Sequence, residues 1–199
     1  MKEFEYITGV FDLRKKKLII TDGEILMKVG KNNIQTIKKD DLESVRYGVE
    51  FIKGLELYIG REYLFYFKPK QGKQIKVNFK SFYRYKLKEK HQLYNDIINT
   101  LWDVHLYNLT DAIINKVLSG EVVTISGVSI SMSGISIGKE IINYKDLQIK
   151  YFYDYLAVSS VSKPDICRLM YFSKDENAVV AGDILSYLIK KSNEEKSAQ

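Results

Sequence analysis

The sequence predicts a mainly β protein of the α+β class, built as two successive antiparallel strand sets that each end in an α-helix. Three observations predict it. Apolar and polar residues alternate along much of residues 4–79 and again along 122–172, the period of a half-buried strand. The period shifts to helical spacing twice, near 83–104 and near 175–190. Three short segments of the first half are echoed, in the same order, in the second.

In the first half, strands are expected at 4–7, 10–13, 18–21, 25–29, 55–59, 63–67 and 75–79, where β-branched and aromatic residues suit a pleated surface. Asp22-Gly23, Gly30 to Asn33, Lys53-Gly54 and Gln71-Gly72 supply the turns. Seven short strands at this spacing imply an antiparallel barrel or sandwich. From Tyr83 to Val104 there is no Gly or Pro, and Leu87, Tyr94, Ile97 or Ile98, and Leu101 recur at helical spacing, so one helix ending near His105 is expected. Asn108 or Thr110 is placed to cap a second helix, Asp111 to Leu118, which Ser119-Gly120 stops. Strands resume at 122–125, 128–131, 135–137, 141–142, 147–152, 155–159 and 168–172. A last helix runs from Asp175 or Asn177 to Lys190, and a polar tail, expected to fray, follows from Ser192.

Composition excludes several classes. The chain has 199 residues, 45% hydrophobic and 28% charged, enough apolar content for a core. A single cysteine, Cys167, excludes a disulfide framework and a cysteine zinc site, and is read as structural. His91 and His105 would lie about 21 Å apart on one helix and cannot share a metal. No GxSxG, HExxH, Walker or GxGxxG pattern occurs, so neither an enzyme nor a cofactor is expected. The acidic start fits no signal peptide and no apolar run reaches a membrane span, which points to the cytoplasm.

The echoes set the domain division. Ile37-Lys38-Lys39-Asp40-Asp41-Leu42 is matched by Ile142-Asn143-Tyr144-Lys145-Asp146-Leu147, and Leu18 to Ile25 by Val128 to Ile135. Asn95 to Leu101 is matched by Gly182 to Leu188. Two domains follow, 1–105 and 106–199. A strand set of this kind closed by one C-terminal helix, with Leu18 to Ile25 preceding Ile37 to Leu42, resembles the pleckstrin-homology-like domain and its GRAM-like bacterial relatives. The resemblance implies two tandem PH-like antiparallel barrels, each closed by a C-terminal α-helix, with Trp102 as the aromatic of the first closing helix.

Two basic segments are candidate binding sites. Arg14, Lys15, Lys16 and Lys17 lie between two strands, and the resemblance implies that a hairpin there faces lipid headgroups. The second runs from Lys68 through Lys70, Lys73, Lys76, Lys80, Arg84, Lys86 and Lys88 to Lys90, opposed only by Glu89. Phe65, Tyr66, Phe67, Phe79, Phe82, Tyr83 and Tyr85 interleave with it, the pairing of charge and flat rings that single-stranded nucleic acid needs. Phe79 shares the alternation of Ile75 and Val77, so it belongs to the core. Residues 1–105 carry a net +7 and residues 106–199 a net −1. Tyr144, Tyr151, Phe152, Tyr153, Tyr155 and Tyr171 concentrate in the second half, where strand neighbours face opposite sides and some rings must point outward. The expected function is a non-enzymatic binding or adaptor module acting on a protein partner. Binding to an anionic membrane surface through Arg14 to Lys17 is the alternative, and single-stranded nucleic acid through Lys68 to Lys90 the third.

Overall fold

The computed structural model describes residues 1–9, 14–30 and 33–197. The expected strand 10–13 falls outside them. The chain divides into two compact units, Met1–Tyr107 and Asn108–Gln199.

In the first unit, β1 (Lys2–Tyr6), β2 (Lys16–Ile20), β3 (Glu24–Val29) and β4 (Asn33–Lys38) form an antiparallel meander. A 3-10 turn at Lys39–Asp41 carries the chain into a second meander of β5 (Leu42–Gly54), β6 (Leu57–Pro69) and β7 (Ile75–Phe82). Helix α1 (Leu87–Leu101) follows. The core forms where the alternation predicts it. Leu18, Ile20 and Ile25 are buried from the first sheet, and Tyr63, Phe65, Phe67, Ile75, Val77 and Phe79 from the second. Tyr94 of α1 lies over the second sheet, its ring 5.2 Å from that of Tyr63 and 5.1 Å from that of Phe65, and Ile97 and Leu101 complete the buried helical stripe.

The second unit has the same order of elements. After α2 (Tyr107–Leu118), β8 (Val123–Ile125), β9 (Val128–Ser131), β10 (Gly134–Ile137) and β11 (Glu140–Asn143) form a meander. A 3-10 turn at Tyr144–Asp146 leads to β12 (Leu147–Tyr151), β13 (Tyr155–Ser160) and β14 (Cys167–Tyr171), and α3 (Ala178–Ser197) ends the unit. The two echoed Asp-Leu segments occupy the two 3-10 turns. The carbonyl of Asp41 accepts from Lys70 N and that of Asp146 from Val161 N, both at 2.8 Å.

The expectation of closed barrels is overturned. The strands form four separate antiparallel sheets, and among the described residues no strand pairs one sheet with another. The chain leaves β4 and β11 through 3-10 turns instead of continuing the ladder, so β5 pairs with β6 alone and β12 with β13 alone. Other corrections are local. Leu42–Gly54, not expected as a strand, is a 13-residue one, and 55–59 and 63–67 belong to a single strand. Helix α1 begins at Leu87 instead of Tyr83, because Tyr83, Arg84 and Lys86 are left-handed, with φ of 46°, 62° and 50°. The helical backbone does not stop at His105. It passes through a π-helical stretch, Trp102–Leu106, into α2, so neither Asn108 nor Thr110 acts as a cap. Helix α3 continues past Lys190 to Ser197.

Candidate functional site

The first basic segment is largely neutralised by its own sheet. Antiparallel pairing sets Lys17 opposite Glu5 and Lys16 opposite Tyr6. Lys17 Nζ lies 2.5 Å from a Glu3 carboxylate oxygen and 3.1 Å from one of Glu5, Lys15 reaches Glu5 at 3.6 Å, and Lys16 donates to the Thr8 hydroxyl at 2.6 Å. The Lys15 and Lys17 cations hold the Glu5 carboxyl below its usual range, Lys17 first through its hydrogen bond. Arg14 is exposed just ahead of the strand.

The second segment is not one face. Lys68, Lys76 and Lys80 lie on the side of the β5–β6–β7 sheet away from the buried rings. There Lys68 pairs with Glu43 at 3.5 Å and Lys80 with Glu62 at 3.3 Å. The Lys76 ammonium stands 5.3 Å from the Tyr66 ring, which also takes the Arg46 guanidinium at 4.6 Å. Lys70 and Lys73 are in or beside the β6–β7 loop. Phe65, Phe67 and Phe79 are at most 1% exposed, so these rings are core, not a stacking platform. Arg84, Lys86 and Lys88 lie apart from the others, at the start of α1.

That start adjoins a feature the sequence reading missed. Strands β5 and β6 extend to a tip where Gly54 pairs with Leu57 across the two-residue loop Leu55-Glu56. Both loop residues have positive φ, 47° and 69°, as a type I′ turn requires. Asn-Gly normally fills such a loop, because a branched side chain there costs about 1–2 kcal/mol per residue. Here the first position is leucine, 99% exposed, and Leu57 (71%), Tyr58 (66%) and Phe51 (47%) surround it. Lys53 and Arg61 flank this apolar tip; their cationic groups stand 5.2 Å from the Tyr58 ring and 5.4 Å from the Phe51 ring. The available signal was an apolar residue directly after Lys53-Gly54, which read as the turn itself.

The segment 83–86 is pinned beside the hairpin. Tyr83 N donates to the Ile59 carbonyl at 2.9 Å, Tyr85 N to the Phe82 carbonyl at 2.8 Å, and the Ser81 hydroxyl to the Tyr85 carbonyl at 2.8 Å. Lys90 Nζ donates to the Lys80 carbonyl. Close approach requires Gly60, where a Cβ would stand 2.6 Å from the Ser81 carbonyl oxygen. A cleft of about 650 Å³ lies here, walled by Phe51, Tyr58, Tyr83, Arg61, Arg84 and Leu87. A second of about 520 Å³ is walled by Arg61, Arg84, Lys86, Leu87, Lys88 and Glu89. Burial, and then the charge of Lys86, holds the Lys90 ammonium below its usual pKa.

In the second unit the aromatic concentration resolves into core and surface. Tyr144 is buried, its hydroxyl donating to the Ser131 carbonyl at 2.5 Å, and burial pushes its pKa up to about 12. Tyr151, Phe152 and Tyr153 are exposed at the β12–β13 tip. Cys167, read as structural, is an exposed thiol on β14. Among the described residues no group of three His, Cys, Asp or Glu side chains is placed to hold a metal ion, and no helix is long and apolar enough to cross a membrane. Compared with protein families, curated proteins and solved structures, the chain matches none of them.

Proposed function

We propose that this chain is a non-enzymatic binding protein whose first unit docks on anionic membrane surfaces through the β5–β6 tip. The observation that carries the reading is the exposed Leu55, Leu57, Tyr58 and Phe51, with Lys53 against the Tyr58 ring, Arg61 against the Phe51 ring and Arg84 in the wall of the same cleft. Burying one leucine side chain from water gains about 1.5–3 kcal/mol, and each cation near an anionic surface adds about 1 kcal/mol. Neither gain is available to the hairpin in water, where the leucine of the loop makes the turn costlier. The combination of an apolar wedge and a cationic rim is that of an interfacial anchor. It moves the membrane contact away from Arg14 to Lys17, three of which are engaged with Glu3, Glu5 and Thr8.

A second reading rests on the β12–β13 tip. Tyr151, Phe152 and Tyr153 there are exposed, which favours a protein partner on the second unit, since exposed tyrosine is a strong interface residue. Co-sedimentation with phosphatidylcholine vesicles, with and without phosphatidylserine, tests the first reading. Binding that requires phosphatidylserine, persists at physiological salt and is lost on placing aspartate at 55 and 57 supports it; binding unchanged by those substitutions removes it.

A further inference from the structure

Between β1, the end of β7 and helix α1 of the first unit lies a cleft of about 820 Å³, the size of a site for a small organic molecule. Its walls are mostly apolar and rich in rings. Tyr6 and Ile7 come from the end of β1, Phe79 and Phe82 from β7, Tyr85 from the segment after it, and Leu93 from α1. Four charged side chains also line it, and three are matched. Glu5 is held by Lys15 and Lys17, and Lys86 and Glu89 lie 3.5 Å apart.

The fourth is Lys90, which is half-buried. Among the described residues no carboxylate lies within ion-pair distance of its ammonium. The ammonium donates to the Lys80 carbonyl, which leaves hydrogens for a further acceptor. Burial and then the Lys86 charge work against this cation, with Glu89 pulling the other way, so an anion beside it would relieve both costs. A second donor in the wall is also unanswered. Tyr6 is 4% exposed, and its hydroxyl is closed to water and has no hydrogen-bond partner among the described residues. A buried donor without a partner costs stability, and burial keeps this phenol protonated, its pKa pushed up to about 12.

The same walls select the ligand. One unmatched cation calls for one negative charge, and Glu5 and Glu89 oppose a doubly charged group. Aromatic walls favour a flat ring body through offset and edge contacts. We infer that this cleft is a binding site for an aromatic monocarboxylate, whose rings lie among Phe79, Phe82 and Tyr85, whose carboxylate pairs with Lys90, and to which the Tyr6 hydroxyl is a further donor. The site is independent of docking at the β5–β6 tip and needs no membrane.

Isothermal titration calorimetry of the full chain tests it, with naphthoate, its neutral analogue naphthamide and straight-chain decanoate as probes. The intact chain is expected to bind naphthoate at least about ten-fold more tightly than naphthamide, the worth of one charge-assisted hydrogen bond, and more tightly than decanoate. K90M should erase the difference between acid and amide. Y6F should weaken naphthoate binding about three-fold, yet leave the thermal midpoint without ligand unchanged or higher, because it removes a hydroxyl that nothing satisfies. L93W, which fills the cleft, should abolish binding of both naphthalene probes. Two results on the intact chain overturn the site whatever the variants do to folding: no naphthoate binding at millimolar concentration, or equal affinity for acid and amide. Tighter binding of decanoate overturns the aromatic class. A preference for acid over amide that survives K90M, or naphthoate binding that L93W leaves intact, overturns the location. Unchanged naphthoate affinity in Y6F removes Tyr6 from the site.

Discussion

The β5–β6 hairpin of the first unit and the β12–β13 hairpin of the second stand at the same place in the order of elements, and both end in exposed apolar side chains. They differ in how those side chains are surrounded. The second hairpin pairs Tyr151 with Leu156 at its tip, and its rings partly satisfy one another: Phe152 stacks on Tyr155 at 4.5 Å and Tyr155 lies 5.3 Å from Tyr171. The first hairpin has strands of 13 residues, and its outermost leucine is 99% exposed. Its base is flanked by Arg61, Arg84, Lys86 and Lys88. An apolar tip alone suits a protein surface; an apolar tip within a cationic rim suits an anionic bilayer.

The comparison can be broken or sharpened at several points. The largest effect is expected beneath the first hairpin. Phe79, 1% exposed and stacked on Tyr63 at 5.0 Å, supports the sheet from which the hairpin extends. Phe79→Ala should lower the denaturant-measured stability of the first unit by about 3–5 kcal/mol. A cost under about 1 kcal/mol would return the ring to the surface and reopen the nucleic-acid reading. Next is Gly60→Ala, whose Cβ would press on the Ser81 carbonyl at 2.6 Å. A loss of about 1–3 kcal/mol is expected, together with weaker vesicle binding as Arg61 and Arg84 separate. Chemical denaturation and co-sedimentation of the same variant check both.

A third difference is in pH response, because both histidines are in the first unit. His105 is 2% exposed, and among the described residues its ring nitrogens have no hydrogen-bond partner of ordinary geometry. Burial chiefly holds its pKa below 6.5, against a weaker pull from the Thr21 backbone; Lys39 also lowers it and Asp22 raises it. Its folded pKa is depressed, so the contribution is complete above the unfolded value. As pH falls below about 6.5, the unfolded chain takes a proton that the folded ring refuses, and stability drops until the folded pKa is passed. His105→Phe should flatten this part of the profile, read as denaturation midpoints across pH 5 to 7.5. An unchanged slope would place the ring in water. The smallest effect is expected at the first basic segment. Replacing Lys15 and Lys17 by glutamine should change vesicle affinity less than about three-fold, because exposed pairs of this kind are worth about 1 kcal/mol or less and these cations are already matched by Glu3 and Glu5.

Much of the second unit was legible in the sequence. Its short strands alternate cleanly, and each expected strand overlaps an observed one. The first unit was harder to read for physical reasons. In β5 the register shifts between Leu42 and Ser44, a bulge that changes the phase of the alternation and hides a long strand. Gly60 reads as punctuation but is a packing residue inside β6, present because the Ser81 carbonyl comes so close. The absence of Gly and Pro over Tyr83–Lys86 suggested helix, yet three of those four residues are left-handed and displace the helix start. The basic residues were visible, but which of them carboxylates neutralise depends on cross-strand pairing that spacing alone does not reveal. The cations beside the tip, Lys53, Arg61 and Arg84, come from distant parts of the sequence, so only the fold assembles them.

The most direct test is co-sedimentation of the full chain with phosphatidylcholine vesicles containing phosphatidylserine, comparing L55D/L57D in the first hairpin with Tyr153→Asp in the second. All three sites are exposed, so circular dichroism should show folded protein in each case. The account predicts at least a thirty-fold loss, about 2 kcal/mol, for the first variant and less than about a two-fold change for the second. Equal binding by L55D/L57D and the intact chain, or a loss confined to Tyr153→Asp, would contradict it.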